Sequence, residues 1–158
     1  MINLPIINTN RSCGDCSACC TSKGVAEINK SPGVTCPHLG FGCAIYETRP
    51  PSCRSYQCYW LQGNLDEEAR PDKIGFVLDL DKELGTGQWL YAAQEFKHGA
   101  FDDEKVLYQL KRLVKQMKQP IVLNSAWREV ATIMVPMGHF WKNKVLRTFG
   151  NIYNYIWC

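Results

Sequence analysis

At 158 residues, 46% of them apolar, the chain has the size and make-up of about one domain, which typically buries around 70% of its unfolded surface. No apolar run approaches the roughly 20 residues that cross a bilayer as a helix, and Met1–Asn10 lacks the charged start and apolar stretch of a secretion signal, so a mature cytoplasmic N-terminus is expected. The net charge of +3 conceals a segregation, with +2 on residues 1–60, −7 on residues 61–104 and +8 on residues 105–158.

Residues 11–60 read as turns and short loops, punctuated by Gly14, Gly24, Pro32, Gly33, Pro37, Gly40, Gly42, Pro50 and Pro51, with little regular structure before Tyr56. Ile74–Leu80 and Gln88–Phe96 read as strands, and Leu84–Gly87 as the turn that makes them an antiparallel hairpin. The clearest helix runs from Asp102 to Lys118, because Val106, Leu110, Leu113, Val114 and Met117 recur at helical spacing. Asp102 is the expected cap, Phe101 the expected staple onto Val106, and Pro120 the stop. Ile121–Leu123 and Val130–Val135 read as short strands, while the aromatic and basic tail from Phe140 to Cys158 has no clear secondary-structure signal. The expected fold is α+β. A loop-rich cysteine module over 11–60 packs on an α+β core over 61–158, with one hairpin and one main amphipathic helix in a single domain 1–158.

Eight of the nine cysteines fall within 46 residues: Cys13, Cys16, Cys19 and Cys20 in a CxxCxxCC array, then Cys36, Cys43, Cys53 and Cys58. Thiolates at two-residue spacing converge on a turn and suit a soft or borderline cation, and four can close a tetrahedral shell. A disulfide framework is the alternative, but it belongs to secreted chains short of core, and adjacent Cys19 and Cys20 would each need a separate partner. The first third is short of core: excluding cysteine, apolar residues number 18 of 60 over 1–60 against 45 of 98 over 61–158. A structural metal contributes roughly 10–16 kcal/mol in small zinc peptides, enough to order such a segment. His38, two residues after Cys36, can replace a thiolate, whereas His98 and His139 have no ligand-spaced companions. Cys158 is a leftover thiol at an expected exposed position.

The second half of the array, Cys43-Ala-Ile-Tyr-Glu-Thr-Arg-Pro-Pro-Ser-Cys53-Arg-Ser-Tyr-Gln-Cys58-Tyr-Trp60, adds specific neighbours to the sulfurs. CxxCxxCC, a separate cysteine, then CxIYxxRPxxCRxYxC with a Trp shortly after resembles the zinc- or iron-chelating CxxCxxCC domain family, also called the YkgJ family of cysteine cluster proteins. The resemblance covers roughly Cys13 to Phe76 and fills all eight cysteine positions. It implies a zinc or iron centre, and in flagellin lysine methylases the domain resembles a module with a [4Fe-4S] cluster. No glycine-rich nucleotide fingerprint is present, so methylase activity is not carried over.

Eight thiolates carry about −8. Two Zn²⁺ ions reduce that only to about −4, while one [4Fe-4S]²⁺ core leaves about −2 on its four ligands and frees the others, which favours a cluster. Arg49 and Arg54 stand beside the ligands and can donate hydrogen bonds to sulfur; Tyr46 and Tyr56 can supply hydroxyls or pack over the site. The CxxCxxC start is similar to a ferredoxin motif, but Cys20 follows directly and only Cys36 precedes a proline. The CxxxCxxC spacing of radical enzymes fails at Lys23.

Three functions stay open at this point. One is a metal-binding protein with a structural or redox-active centre, and a second is a metal-dependent enzyme using Asp15 or Glu47. The third is an adaptor whose basic tail binds a nucleic acid or protein partner while the metal is purely structural.

Overall fold

The computed structural model describes residues 10–82, 89–127, 131–137 and 154–158. The chain divides into two compact units, Met1–Val77 and Leu78–Cys158. The first therefore reaches well past residue 60. Tyr59, Trp60, Leu65, Ala69 and Phe76 are buried within it, because so short a loop-rich segment needs the following residues to complete a core.

In the first unit the regular elements are brief: helix α1 (Ala18–Ser22), the paired two-residue strands β1 (Leu39–Gly40) and β2 (Gly42–Cys43), helix α2 (Pro51–Ser55) and helix α3 (Pro71–Ile74). Pro51 and Pro71 each open a helix, where a missing N–H costs nothing. Gly75 at φ 80 closes α3, and that left-handed turn delays the next strand to Phe76 rather than Ile74.

The larger sheet has the order β3 (Phe76–Lys82), β4 (Trp89–Glu95), β5 (Ile121–Asn124), β6 (Thr132–Val135), β7 (Asn154–Trp157). β3 and β4 are neighbours, as a hairpin requires, and the turn assigned to Leu84–Gly87 lies outside the described residues. β4 and β5 are parallel and are connected through helix α4 (Glu104–Met117), a strand–helix–strand crossover. β5 pairs antiparallel with β6, and β6 parallel with β7, so the sheet is mixed and the fold α+β. Ile121, Val122 and Leu123 and all four residues of β6 are buried, the mark of strands covered on both faces, which explains their unbroken apolar runs.

α4 buries Val106, Leu110 and Val114, and Lys118 ends it in the left-handed region at φ 53. Its cap is Asp103, which accepts from the Lys105 N–H at 2.7 Å; Asp102 instead completes a 3₁₀ turn, Ala100–Asp102. The tail supplies β7, an element with no clear signal in the sequence, while residues 138–153 of the tail lie outside the described set. Cys158 is buried rather than exposed. Its N–H donates to Val135 O at 2.8 Å, its thiol contacts Ile156 O at 3.7 Å, and burial pushes the thiol pKa up.

Candidate metal centre

All eight clustered cysteines are half-buried free thiols. Cys13 and Cys16 flank a turn closed by Cys16 N donating to Cys13 O at 2.9 Å, with Gly14 at φ 53 supplying a conformation other residues resist. α1 carries Cys19 and Cys20. Cys36 is tied to that helix by its N–H donating to Cys20 O at 2.9 Å. Cys43 stands in β2 opposite Leu39, Cys53 lies in α2, and Cys58 opens a turn in which its carbonyl accepts from Gln62 N at 3.1 Å.

The thiols share one electrostatic neighbourhood. Cys19 is raised by hydrogen bonding to Cys20 and by burial, with charge contributions from Cys13 and Cys16; Cys20 is lowered by the same hydrogen bond and by the Lys30 ammonium. Cys58 is raised by burial and feels Cys13 and Cys16, while Cys53 is raised by burial and feels Cys20 and Cys36. These links join seven thiols from four segments. Burial raises Cys16 as it does Cys58, and main-chain N–H groups, of Ala18 and Asp72 at Cys16 and of Leu61 and Trp60 at Cys58, oppose that rise. Such N–H donors favour the thiolate form and raise the potential of any centre it ligates.

Lys30 is only 6% exposed, yet its ammonium faces backbone carbonyls, those of Thr21 and Ser31 at 3.4 Å and that of Lys23. Burial lowers its pKa, and the charges of Cys36, Cys20, Cys19 and Cys53 oppose that. Burial raises the Cys13 thiol, and the Arg49 charge opposes that rise; Arg49 stacks on the exposed Tyr46 ring at 3.7 Å and keeps a buried Nε–H with no hydrogen-bond acceptor. Arg54 spends Nε on Arg49 O at 2.8 Å and a terminal nitrogen on Glu47 O at 3.2 Å, holding the 47–49 backbone.

Tested against a metal or cluster, the donor set fits in kind: half-buried thiols, a buried ammonium and an orphaned guanidinium N–H. Among the described residues no three His, Cys, Asp or Glu side chains are disposed as a ligand set. His38 is half-buried and its carbonyl closes the β1–β2 hairpin through Ala44 N at 2.9 Å. His98 packs edge-on to Trp127 in the second unit, with ring centroids 5.1 Å apart, and His139 lies outside the described residues. Glu47 is exposed, and Asp15, 83% exposed, pairs with Arg70 at 2.9 Å.

Several supporting residues had no signal in the sequence. Glu27 accepts from Ser52 N at 3.0 Å and Ser52 Oγ at 2.8 Å, pinning the start of α2 and so Cys53. Arg11 donates to Trp60 O and Leu65 O, both at 2.8 Å, and Arg70 grips Asp72 beside Cys16. Each partner lies 25 or more residues away in sequence except Asp72, so no local motif reveals them.

The fold and site thus define a small α+β chain whose first unit gathers thiols from separate loops. No protein family, no curated protein and no solved structure matches it. No helix of the described residues is long and apolar enough to cross a membrane.

Proposed function

We propose that the first unit is a cysteine-ligated metal module of the CxxCxxCC, or YkgJ, kind, holding an iron–sulfur cluster or zinc on Cys13, Cys16, Cys19, Cys20, Cys36, Cys43, Cys53 and Cys58. The observation that carries this reading is that one compact unit brings together eight half-buried free thiols with the buried Lys30 ammonium and an Arg49 Nε–H that has no acceptor. Groups of this kind can offset the negative charge of bound thiolates. A bound [4Fe-4S] cluster would supply one-electron chemistry, and zinc would supply order alone. Within that frame Arg49 donates to sulfur or sulfide, Lys30 supplies a fixed positive charge, and Glu27 and Arg11 hold the ligand-bearing loops. A cytoplasmic location belongs to the same reading, because unpaired thiolates persist in a reducing compartment.

The enzyme and adaptor readings draw less support. Asp15 is engaged by Arg70, Glu47 is a solvated loop residue, and most of the basic tail lies outside the described residues. The test is elemental analysis and a visible spectrum on protein purified without oxygen, before and after dithionite. Brown protein with about four iron and four sulfide per chain, bleaching on reduction, establishes a redox cluster. Colourless protein with about one or two zinc ions establishes a structural site. Protein with neither, unable to take up either on reconstitution, refutes the reading.

A further inference from the structure

The solvent side of α4, in the second unit, has no part in the metal reading and a one-sided make-up. Residues 105–118 carry five basic side chains, Lys105, Lys111, Arg112, Lys115 and Lys118, and no carboxylate. All five are exposed, and so is Tyr108, at 64%. Val106, Leu110 and Val114 are buried on the other side of the helix. With 3.6 residues per turn, Lys105, Tyr108, Lys111, Arg112 and Lys115 share an arc of about 120° opposite those three. Tyr108 lies within that arc, one turn from Lys105, Lys111 and Arg112. Among the described residues none of the five cations forms an ion pair. A face built only for solubility mixes both signs, with carboxylates one turn from amines. Here Lys111 and Lys115 lie one turn apart, as do Arg112 and Lys115, and like charges at that spacing work against the helix.

We infer that this face of α4 binds a single-stranded nucleic acid, the cations meeting phosphates and the Tyr108 ring stacking on a base. The inference concerns the second unit alone and is independent of the metal reading. Clustered cations release the counterions of a polyanion, and an aromatic ring among them offers its face to a base, the two components that single-strand binding combines. A duplex keeps its bases stacked on one another and leaves Tyr108 without a role. An anionic membrane takes up a surface helix through a free apolar face, and on α4 that face is buried in the protein. RNA and DNA share the phosphate and base chemistry that this surface meets.

The experiment titrates the full chain into fluorescein-labelled dodecamers of uridine and of thymidine and follows anisotropy over a range of NaCl concentrations. With about four phosphate contacts, log affinity should fall against log salt with a slope of about −3, since single strands give about −0.7 per contact. Replacing Lys111 and Lys115 together by Gln should flatten that slope by about 1.4 and weaken binding about 10- to 100-fold at low salt. Lys97→Gln, an equally exposed lysine in the loop after β4, should change neither. Tyr108→Ala should weaken binding about 5- to 150-fold with the slope unchanged, and Tyr108→Phe should bind as wild type does. These side chains are exposed, so the substitutions leave the fold intact, which an unchanged urea midpoint checks. Equal affinity for the two oligomers, or a preference for one, supports the inference and in the second case names the source. Wild type that binds neither oligomer at low salt overturns it. So does a Lys111, Lys115 double variant no weaker than Lys97→Gln, or a Tyr108→Ala variant that binds single strands as wild type does. Tighter binding to a duplex or to phosphatidylserine vesicles, indifferent to Tyr108, also overturns it and assigns the face to that partner.

Discussion

Arg11 sits two residues before the first cysteine and reaches across the unit to the turn that follows Cys58, so removing it should loosen that turn specifically. Its terminal nitrogen donates to both Trp60 O and Leu65 O at 2.8 Å, and its guanidinium lies 5.0 Å from the centre of the Trp60 ring. A hydrogen bond from a charged donor contributes roughly 1.5–3 kcal/mol net, but these two share one nitrogen on a half-buried side chain and do not add in full. With the cation–π contact worth about 0.5 kcal/mol, the loss should be about 2 kcal/mol, close to thirtyfold in a local opening equilibrium. Amide hydrogen exchange measures that opening at Gln62, Gly63 and Asn64, whose N–H groups bond Cys58 O, Trp60 O and Tyr59 O at 3.1, 2.9 and 3.0 Å. Arg11→Met is the informative variant, since it keeps an apolar stem against Trp60 and removes only the donor. Exchange at these three amides should rise about thirtyfold while amides of β5 and β6 stay unchanged. A rise of less than about threefold would mean that the Arg11 bonds contribute under about 0.7 kcal/mol, and the clamp would be refuted.

Leu110 has no exposed surface, and Leu110→Ala should destabilise the second unit by about 2–5 kcal/mol, read as a fall in its urea midpoint with an unchanged slope. Glu95 is buried in β4 and accepts from Phe101 N at 3.1 Å, so Glu95→Ala strands a buried N–H at about 1–3 kcal/mol, while Glu95→Gln keeps an oxygen there and should cost less in the same titration. Glu27 has its pKa lowered by its own backbone N–H and by the Ser52 hydroxyl and N–H. A lowered folded-state pKa gives stability that is fully present above the ordinary carboxylate range and is lost as pH falls through the folded value. The urea-midpoint difference between wild type and Glu27→Gln should therefore exist at neutral pH and vanish in acid; a difference that persists in acid would show that the charge is irrelevant. Metal removal by a chelator should raise amide exchange across residues 13–58 and leave the second unit unaffected, and unchanged exchange in the first unit would contradict a structural role for the metal.

What the sequence disclosed about the fold followed from periodicity and composition, and it stopped where pairing became non-local. The apolar positions of α4 recur on one face, so the helix was readable almost to its ends. The cap slipped by one residue because two adjacent aspartates are equally suited, and Gly99, at φ 81, commits Asp102 to the preceding 3₁₀ turn. β5 and β6 were readable as apolar runs. β7 was not: Asn154–Trp157 becomes a strand by pairing parallel with β6 in the register Thr132 to Asn154 through Val135 to Trp157, a partnership that nothing in the tail's own composition encodes. The same pairing buries Cys158, which its sequence position placed at the surface.

The site divides along the same line. Thiol spacing is a local property, and all eight candidate ligands were nameable from it. Whether those thiols can be ionised is not local. It depends on the Lys30 ammonium among backbone carbonyls and on Arg49, whose Nε–H is left over once its guanidinium stacks on the Tyr46 ring. Arginines 49 and 54 look equivalent in the motif, each a few residues from Cys53. Yet Arg54 spends its donors on the carbonyls of Arg49 and Glu47, while Arg49 retains one. The segment that Arg54 fixes is the segment that carries Arg49, so the two act in series: one arginine holds the backbone from which the other projects. Arg54→Ala should accordingly act through Arg49, and in an Arg49→Ala background it should have little further effect on metal affinity.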